Sequence, residues 1–263
     1  MQLEAALDDY TESGLGVMVV SYDSVEILKS FSDRNGGFRY TMLADPESEI
    51  IEAFGLRNPN PEPGSRGDGM AFPGSYIVDT NGIVQEKFFE QDHRIRTTHE
   101  TVLLKTMGAG GGRQTEVQLP QMSFVAFASQ DVITRGNEIN LVVDVTLPDR
   151  MHLYAPGSDY TAVDLRVAES PMLRLGPLEL PDAEMLYLEP IDETVPVYHD
   201  SARIQRTFTL APAYEDSTLE LDAVLVYQTC DDEICFPPGE YAFTFEFDVT
   251  ALDRQRAPEA IQH

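Results

Sequence analysis

The sequence contains little cysteine, little positive charge and no long apolar run. Its 263 residues include two cysteines, no tryptophan and 18 basic side chains against 45 acidic ones, for a formal net charge of −27. A chain this acidic lacks the basic face that a nucleic-acid backbone requires, so we expect no nucleic-acid partner. No apolar stretch approaches the ~20 residues of a membrane-spanning helix, and we expect no transmembrane segment. The first residues also lack the basic-then-apolar pattern of a signal peptide.

The two cysteines, Cys230 and Cys235, lie between two segments that have the alternating pattern of β-strands. Residues 219–227 place apolar side chains on one face, and residues 241–249 do the same after the cysteines. The pattern predicts a β-hairpin in whose connection the two cysteine side chains approach closely enough to form a disulfide.

Two functions remain open for the pair on these grounds. A fixed disulfide across so short a loop stabilises a domain by only about 2 kcal/mol. A reversible dithiol would instead transfer electrons through a mixed disulfide. Zinc is disfavoured because four ligands are usual and no second Cys or Cys/His pair is present. The histidines before the tail show no metal-ligand spacing either; they are His93, His99, His152 and His199. We therefore expect neither a metal nor a cofactor.

A glycine-rich stretch separates two halves with different periodicity. We expect residues 1–107 to form an α/β domain, residues 108–119 a linker, residues 120–252 a β-sandwich and residues 253–263 a polar tail. In the first half the pattern predicts the order αβαβαββα. Its predicted elements are a helix at 3–13, a strand at 16–22, a helix capped by Asp23 or Ser24, a strand at 41–44, a helix from Asp45-Pro46 to Gly55, a hairpin of 74–79 with 83–90, and a helix at 98–107.

The cysteine hairpin resembles a known family. Tyr227-Gln228-Thr229-Cys230, followed by Cys235-Phe236-Pro237-Pro238, is similar to the hairpin of the N-terminal domain of the DsbD thiol:disulfide interchange protein family. Residues 151–156 and 197–200 resemble a Tyr-bearing strand and a Tyr-x-Asp segment of that family. The resemblance covers roughly residues 120–250 and implies an immunoglobulin-like sandwich. It also implies that Cys230 and Cys235 exchange electrons with redox proteins, supported by Tyr227 and Phe236, in the periplasm or another extracytoplasmic compartment.

The first half resembles the thioredoxin-like AhpC/TSA, or redoxin, group of peroxiredoxins. The carrying segments are VVSYDSVEILKSFSDRNG, LADPESEIIEAFGL and FPGSYIVDTNGIVQEKFFE. The resemblance implies an antioxidant redox role and makes Pro73 a candidate cis-proline. The group has its active cysteine at the start of the first helix, where this sequence has none. We expect no peroxidase activity from the residues given, because a thiolate is the nucleophile. We also expect that a first strand and an active-site cysteine or selenocysteine lie upstream of Met1 in a longer protein.

Taken together, these patterns predict a thiol–disulfide exchange protein. Cys230 and Cys235 would relay electrons to or from a thioredoxin-like or DsbD-type partner or active site. Three acidic residues follow Cys230, and we expect their charge to raise the cysteine pKa values. The alternative is a non-catalytic extracytoplasmic interaction module in which the same two cysteines form a structural disulfide.

Overall fold

The computed structural model describes residues 2–65, 67–89, 96–108, 111–189, 192–231 and 233–250. The predicted tail at 253–263 and His93 lie outside these residues. The chain divides into two compact units, a first unit at residues 1–109 and a second unit at residues 110–252.

The first unit is an α/β unit, as the sequence predicts. The helix expected at 3–13 is divided in two at Ala6, and the remaining elements follow the predicted order with short additions. Its elements are α1 (Gln2–Ala5), α2 (Leu7–Glu12), β1 (Met18–Ser21), α3 (Val25–Arg34), β2 (Thr41–Ala44), α4 (Glu49–Ala53), β3 (Gly74–Val78), β4 (Val84–Phe89), β5 (Arg96–Thr97) and α5 (His99–Met107).

A capping residue determines where α3 begins, and a turn at Ser48 precedes the start of α4. Ser24 caps α3 by accepting a hydrogen bond from the Ile27 N–H, as expected of a short hydroxyl side chain at this position. The helix predicted to start at Asp45-Pro46 begins later, at Glu49. Ser48 takes a positive φ of 57° and donates its hydroxyl to the Gly69 carbonyl, so the chain turns once more before the helix starts.

Four strands of the first unit form two separate pairs. β1 and β2 are parallel, whereas β3 and β4 form an antiparallel hairpin. Among the described residues, no strand joins the two pairs into one sheet. The predicted thioredoxin-like α/β class is confirmed.

The predicted cis peptide bond before Pro73 is wrong. No peptide bond among the described residues is cis. The Phe72 N–H donates to the Leu56 carbonyl at 2.7 Å, and Gly74 begins β3 opposite Phe89. These flanking hydrogen bonds are made with the trans isomer, which is intrinsically favoured by about 0.5–1 kcal/mol.

The second unit is built of strands, as its period-two pattern predicts. Its elements are β6 (Thr115–Gln118), β7 (Ser123–Ala128), β8 (Val132–Thr134), β9 (Asn137–Thr146), β10 (His152–Tyr154), β11 (Asp164–Val167), β12 (Leu173–Glu179), β13 (Glu184–Leu188), β14 (Glu193–His199), β15 (Ser201–Leu210), β16 (Thr218–Tyr227), β17 (Thr229–Cys230) and β18 (Gly239–Thr250).

Two of its sheets pack as an immunoglobulin-like sandwich. One has the order β12-β15-β9-β7-β6 and the other the order β11-β16-β18-β8. Their inward side chains form one large cluster, here called the main core, which includes the fully buried Leu141, Leu165 and Phe208. The predicted hairpin is present, since β16 pairs with β18 from Thr218 opposite Asp248 to Tyr227 opposite Gly239. The predicted sandwich class is confirmed.

The predicted linker is too long at its C-terminal end. Residues 115–118 form β6, which pairs with β7 and buries Val117. The buried Val117 is flanked by the exposed polar residues Glu116 and Gln118, which suits a strand with one buried face.

A third sheet carries Cys230. Its order is β13-β14-β10-β17, and its two faces differ because successive side chains of a strand point to opposite sides. Leu153 and Tyr198 belong to the main core. The opposite face holds a smaller group, here called the cysteine cluster, whose buried members are Tyr154, Val195, Val197 and Cys230.

We expect residues 115–252 to fold without the first unit. The main core and the cysteine cluster consist entirely of second-unit residues, so removal of the first unit leaves both complete. The expressed fragment should show a single cooperative thermal transition in circular dichroism. A fragment that stays unfolded under conditions in which the whole chain is folded would contradict this prediction.

Candidate functional site

Cys230 and Cys235 form a disulfide, with Cα atoms 4.1 Å apart. Cys230 ends β17, whose partner strand is β10. A tight turn then brings Cys235 back: the Asp231 N–H donates to the Ile234 carbonyl at 2.9 Å. The Asp231 carboxylate accepts the N–H groups of Glu233 at 2.8 Å and Ile234 at 2.6 Å. The turn is therefore held by its own first side chain.

Asp231, the residue after Cys230, carries a negative charge. The N–H groups of Glu233 and Ile234 hold the pKa of Asp231 below its usual range, and Arg150 and His152 act in the same direction. Hydrogen bonds to the charged form of a carboxyl favour that form, so Asp231 is ionised at neutral pH. The expected effect of this charge on the cysteine pKa values stays a prediction.

The two sulfur-bearing residues differ in their access to solvent. Cys230 is only 1% exposed, whereas Cys235 lies on the exposed side of the turn. A reactant from solution therefore meets Cys235 first.

Tyr154 packs its hydroxyl against the disulfide. Its Oη donates to Cys230 Sγ at 3.2 Å and lies 3.8 Å from Cys235 Sγ. The ring is fully buried, stacks on Tyr160 with centroids 4.2 Å apart, and meets the edge of His152 at 5.3 Å. Burial raises the pKa of Tyr154 to about 12, with smaller contributions from Tyr160 and Glu193. At physiological pH it is a neutral hydrogen-bond donor.

Gln228 ties the cysteine strand to its surroundings. Its side-chain Oε1 accepts the Thr161 N–H at 2.9 Å, and its Nε2 donates to the Phe236 carbonyl at 3.3 Å. Its carbonyl accepts the Tyr154 N–H at 3.1 Å. One side chain and its backbone thus fix both arms of the cysteine loop and the strand that carries Tyr154.

The predicted supporting residues lie near the loop but contact other groups. Tyr227 is buried in the main core, where its Oη accepts a hydrogen bond from Gln121 Nε2 at 3.4 Å. Its ring covers Gly239, where an added Cβ would lie 2.6 Å from Tyr227 Cζ. Phe236 packs against the main core, and its N–H donates to the Thr229 carbonyl. Pro73 belongs to the first unit.

No role at the disulfide was predicted for Gln228 or His152, and Tyr154 was predicted only to lie on a family-like strand. His152 and Tyr154 alternate within residues 151–156, which predicts that they share a face of a strand. Which strand lies opposite them cannot be read from that pattern.

The described residues contain neither a metal-ligand cluster nor a membrane-spanning helix. No group of three or more His, Cys, Asp or Glu residues in the described part of the chain could hold a metal ion. Across the same ranges, no helix has the length and apolar character needed to cross a membrane.

The two halves match different family models. Residues 1–87 match the AhpC/TSA family, and residues 118–246 match the family described as thiol:disulfide interchange protein DsbD, N-terminal. Two peroxiredoxin relatives, from the CDC 1551 and H37Rv strains of Mycobacterium tuberculosis, are each 31% identical over 78 residues, or 30% of this chain. The match spans about half the length of these relatives, 48%.

Solved structures are also similar to the chain. The reduced N-terminal domain of Neisseria meningitidis DsbD is 19% identical, with a TM-score of 0.32, covering 41% of this chain and 78% of that one. The N-terminal periplasmic domain of ScsB from Proteus mirabilis is 15% identical, with a TM-score of 0.37, covering 52% of each chain. The chain is therefore similar to the AhpC/TSA family over residues 1–87 and to the DsbD N-terminal family over residues 118–246.

Proposed function

We propose that the second unit carries out thiol–disulfide exchange through Cys230 and Cys235. The observation that supports the proposal is that the two cysteines of the disulfide differ in exposure and in hydrogen bonding. Cys235 is exposed, whereas Cys230 is buried and accepts a hydrogen bond from Tyr154. One sulfur is thus open to attack, and the other is supported as the leaving group.

The reaction proceeds in two exchanges. A donor thiolate attacks Cys235 Sγ, the bond between the two cysteine sulfurs breaks, and Cys230 leaves as a thiolate. The Tyr154 hydroxyl stabilises this thiolate through a charge-assisted hydrogen bond. A second donor thiolate then attacks the donor sulfur of the mixed disulfide and releases Cys235. The donor becomes a disulfide, and the domain gains two electrons.

The partners of this reaction are thioredoxin-like or DsbD-type dithiol proteins. The family match of residues 118–246 supports this class. A disulfide between the only two cysteines of the sequence also fits an oxidising compartment, since disulfides persist in the periplasm and other extracytoplasmic spaces. We therefore place the reaction outside the cytoplasm. The electrons then pass to a thioredoxin-like partner or active site.

A second candidate function has an observation of its own. Cys230 belongs to a buried cluster with Tyr154, Val195 and Val197, as expected of a disulfide that only holds a domain together. In this case the second unit would be an interaction module that performs no exchange.

The two functions differ in what the exposed thiol captures. Cys230→Ala leaves Cys235 as a free thiol. A mixed disulfide formed at Cys235 then has no second cysteine in the domain to displace the partner. This variant should therefore accumulate mixed disulfides with a purified oxidised thioredoxin-like protein. Mass spectrometry should place the cross-link at Cys235. Cys235→Ala is the matched control and should capture far less, because its remaining thiol is buried. Equal capture by the two variants, or none by either, would contradict the exchange function.

A further inference from the structure

Polar side chains cross the third sheet from its solvent edge to the disulfide. Glu184 lies on β13, His199 on β14, His152 on β10 and Cys230 on β17, so each of the four strands contributes one titratable residue. His152 is directly opposite both His199 and Cys230 in the strand register. Residues directly opposite in an antiparallel pair have side chains on the same face, with Cβ atoms about 4.5–5.5 Å apart.

The row runs from an exposed carboxylate to a buried sulfur. The Glu184 side chain is 76% exposed, and its Oε2 lies 3.3 Å from His199 Nδ1. The rings of His199 and His152 have centroids 6.1 Å apart. His152 itself is 2% exposed, in the same buried face as Cys230. The row therefore places His152 between the buried sulfur of Cys230 and the more exposed His199–Glu184 pair.

We propose that His152 holds the proton that stabilises Cys230 as the leaving thiolate, so that the exchange at Cys235 depends on the charge of this buried histidine. The inference rests on the exchange function proposed above and adds a residue to it. Histidine suits this role because its charge ordinarily changes between pH 5 and 8.

Charged and polar groups from the neighbouring elements surround His152. Asp231 follows Cys230 directly and interacts electrostatically with His152. Glu184 lies at the far end of the row, 3.3 Å from His199 Nδ1, and the ring of Tyr154 contacts both His152 and Tyr160. Arg150 is the positive group nearby, and it pairs with Glu233 at 3.7 Å. Burial opposes the charge, and the thiolate formed at Cys230 adds the negative partner that offsets this cost.

The exchange at Cys235 conserves atoms and charge. The donor thiolate bonds to Cys235 Sγ, the electron pair of the broken S–S bond passes to Cys230 Sγ, and the new thiolate lies beside protonated His152. The proton then moves to Cys230 or stays on the imidazole as its counter-ion. The second donor thiolate completes the reduction, and Cys235 takes its proton from water.

The test is the pH dependence of reduction by a small monothiol, with each rate constant divided by the fraction of donor thiolate. A positive charge on His152 should lower the pKa of the leaving Cys230 thiol by about 2. The logarithm of the reduction rate constant changes by about 0.5 for each unit of thiol pKa. The rate constant of the native protein should therefore fall about tenfold as the pH rises and His152 loses its proton. His152→Gln should remove this fall, whereas His99→Gln in the first unit should retain it. A native constant that does not fall with pH, or a fall that survives His152→Gln, would overturn the proposal.

A measurement on the native protein covers the case in which His152→Gln does not fold. The imidazole of His152 should titrate at higher pH in the reduced form than in the oxidised form, because charge coupling between two groups is reciprocal. NMR of the side chain in both forms measures this directly, and identical titrations would refute the inference. If the folded native bridge cannot be reduced at all, the exchange function fails and this inference fails with it. If it is reduced but the titrations coincide, only the role of His152 fails.

Discussion

Cys235→Ala should react with a thiol-alkylating reagent about 100-fold more slowly than Cys230→Ala. The remaining thiol of Cys235→Ala is at Cys230, which is 1% exposed beneath Tyr154. It becomes accessible only when the sheet opens locally. An opening free energy of about 3 kcal/mol lowers the accessible fraction by about 100-fold.

The measurement is the rate of alkylation of each variant in native buffer, followed by mass. Both variants should react at the same rate in denaturant, which controls for the intrinsic reactivity of the two thiols. Equal native rates would show that burial does not distinguish the two sulfurs, and the proposed order of attack would then be wrong.

Tyr154→Ala should lower the free energy of unfolding of the second unit by about 3–5 kcal/mol, the usual cost of truncating a buried aromatic side chain. The ring is fully buried between Tyr160 and His152, so its removal leaves a cavity beside the disulfide. Urea denaturation of the oxidised full chain, followed by a signal from the second unit, measures the loss.

Tyr154→Phe is the matched control for the hydroxyl. It keeps the ring and its stacking but removes the hydrogen bond to Cys230, so it should lower the free energy of unfolding by only about 1 kcal/mol. It should also slow reduction of the bridge, because the leaving thiolate loses its donor. Equal losses of stability in the two variants would show that the ring packing contributes little.

The sequence predicted the parts of the site that depend on local patterns. Alternation on either side of the cysteines predicts the β16–β18 hairpin, and the structure pairs Tyr227 with Gly239 at its closed end. The approach of Cys230 to Cys235 follows from that hairpin. Both conclusions need only residues close together in the chain.

The remainder of the site depends on pairing between distant segments. β10 lies between β14 and β17, which places His152 opposite residues 199 and 230. A strand of three residues has no pattern long enough to specify its partners, because register is set by which faces are buried in the complete fold. For this reason the sequence could not assign His152, Tyr154 or Gln228 to the disulfide.

The two corrections have local causes. Pro73 was assigned a cis bond from a family resemblance, whereas the hydrogen bonds on either side of it are made in the trans form. The linker was extended to residue 119 because glycines mark its start, but residues 115–118 form a strand that pairs with β7.

The reduction potential of the Cys230–Cys235 bridge tests the central claim most directly. The native chain should be equilibrated in dithiothreitol or glutathione redox buffers, and its oxidised fraction determined by alkylation and mass. An exchangeable bridge should show a two-electron transition above about −300 mV while the domain stays folded. A potential below about −300 mV, or reduction only on unfolding, would identify a structural disulfide and contradict the account.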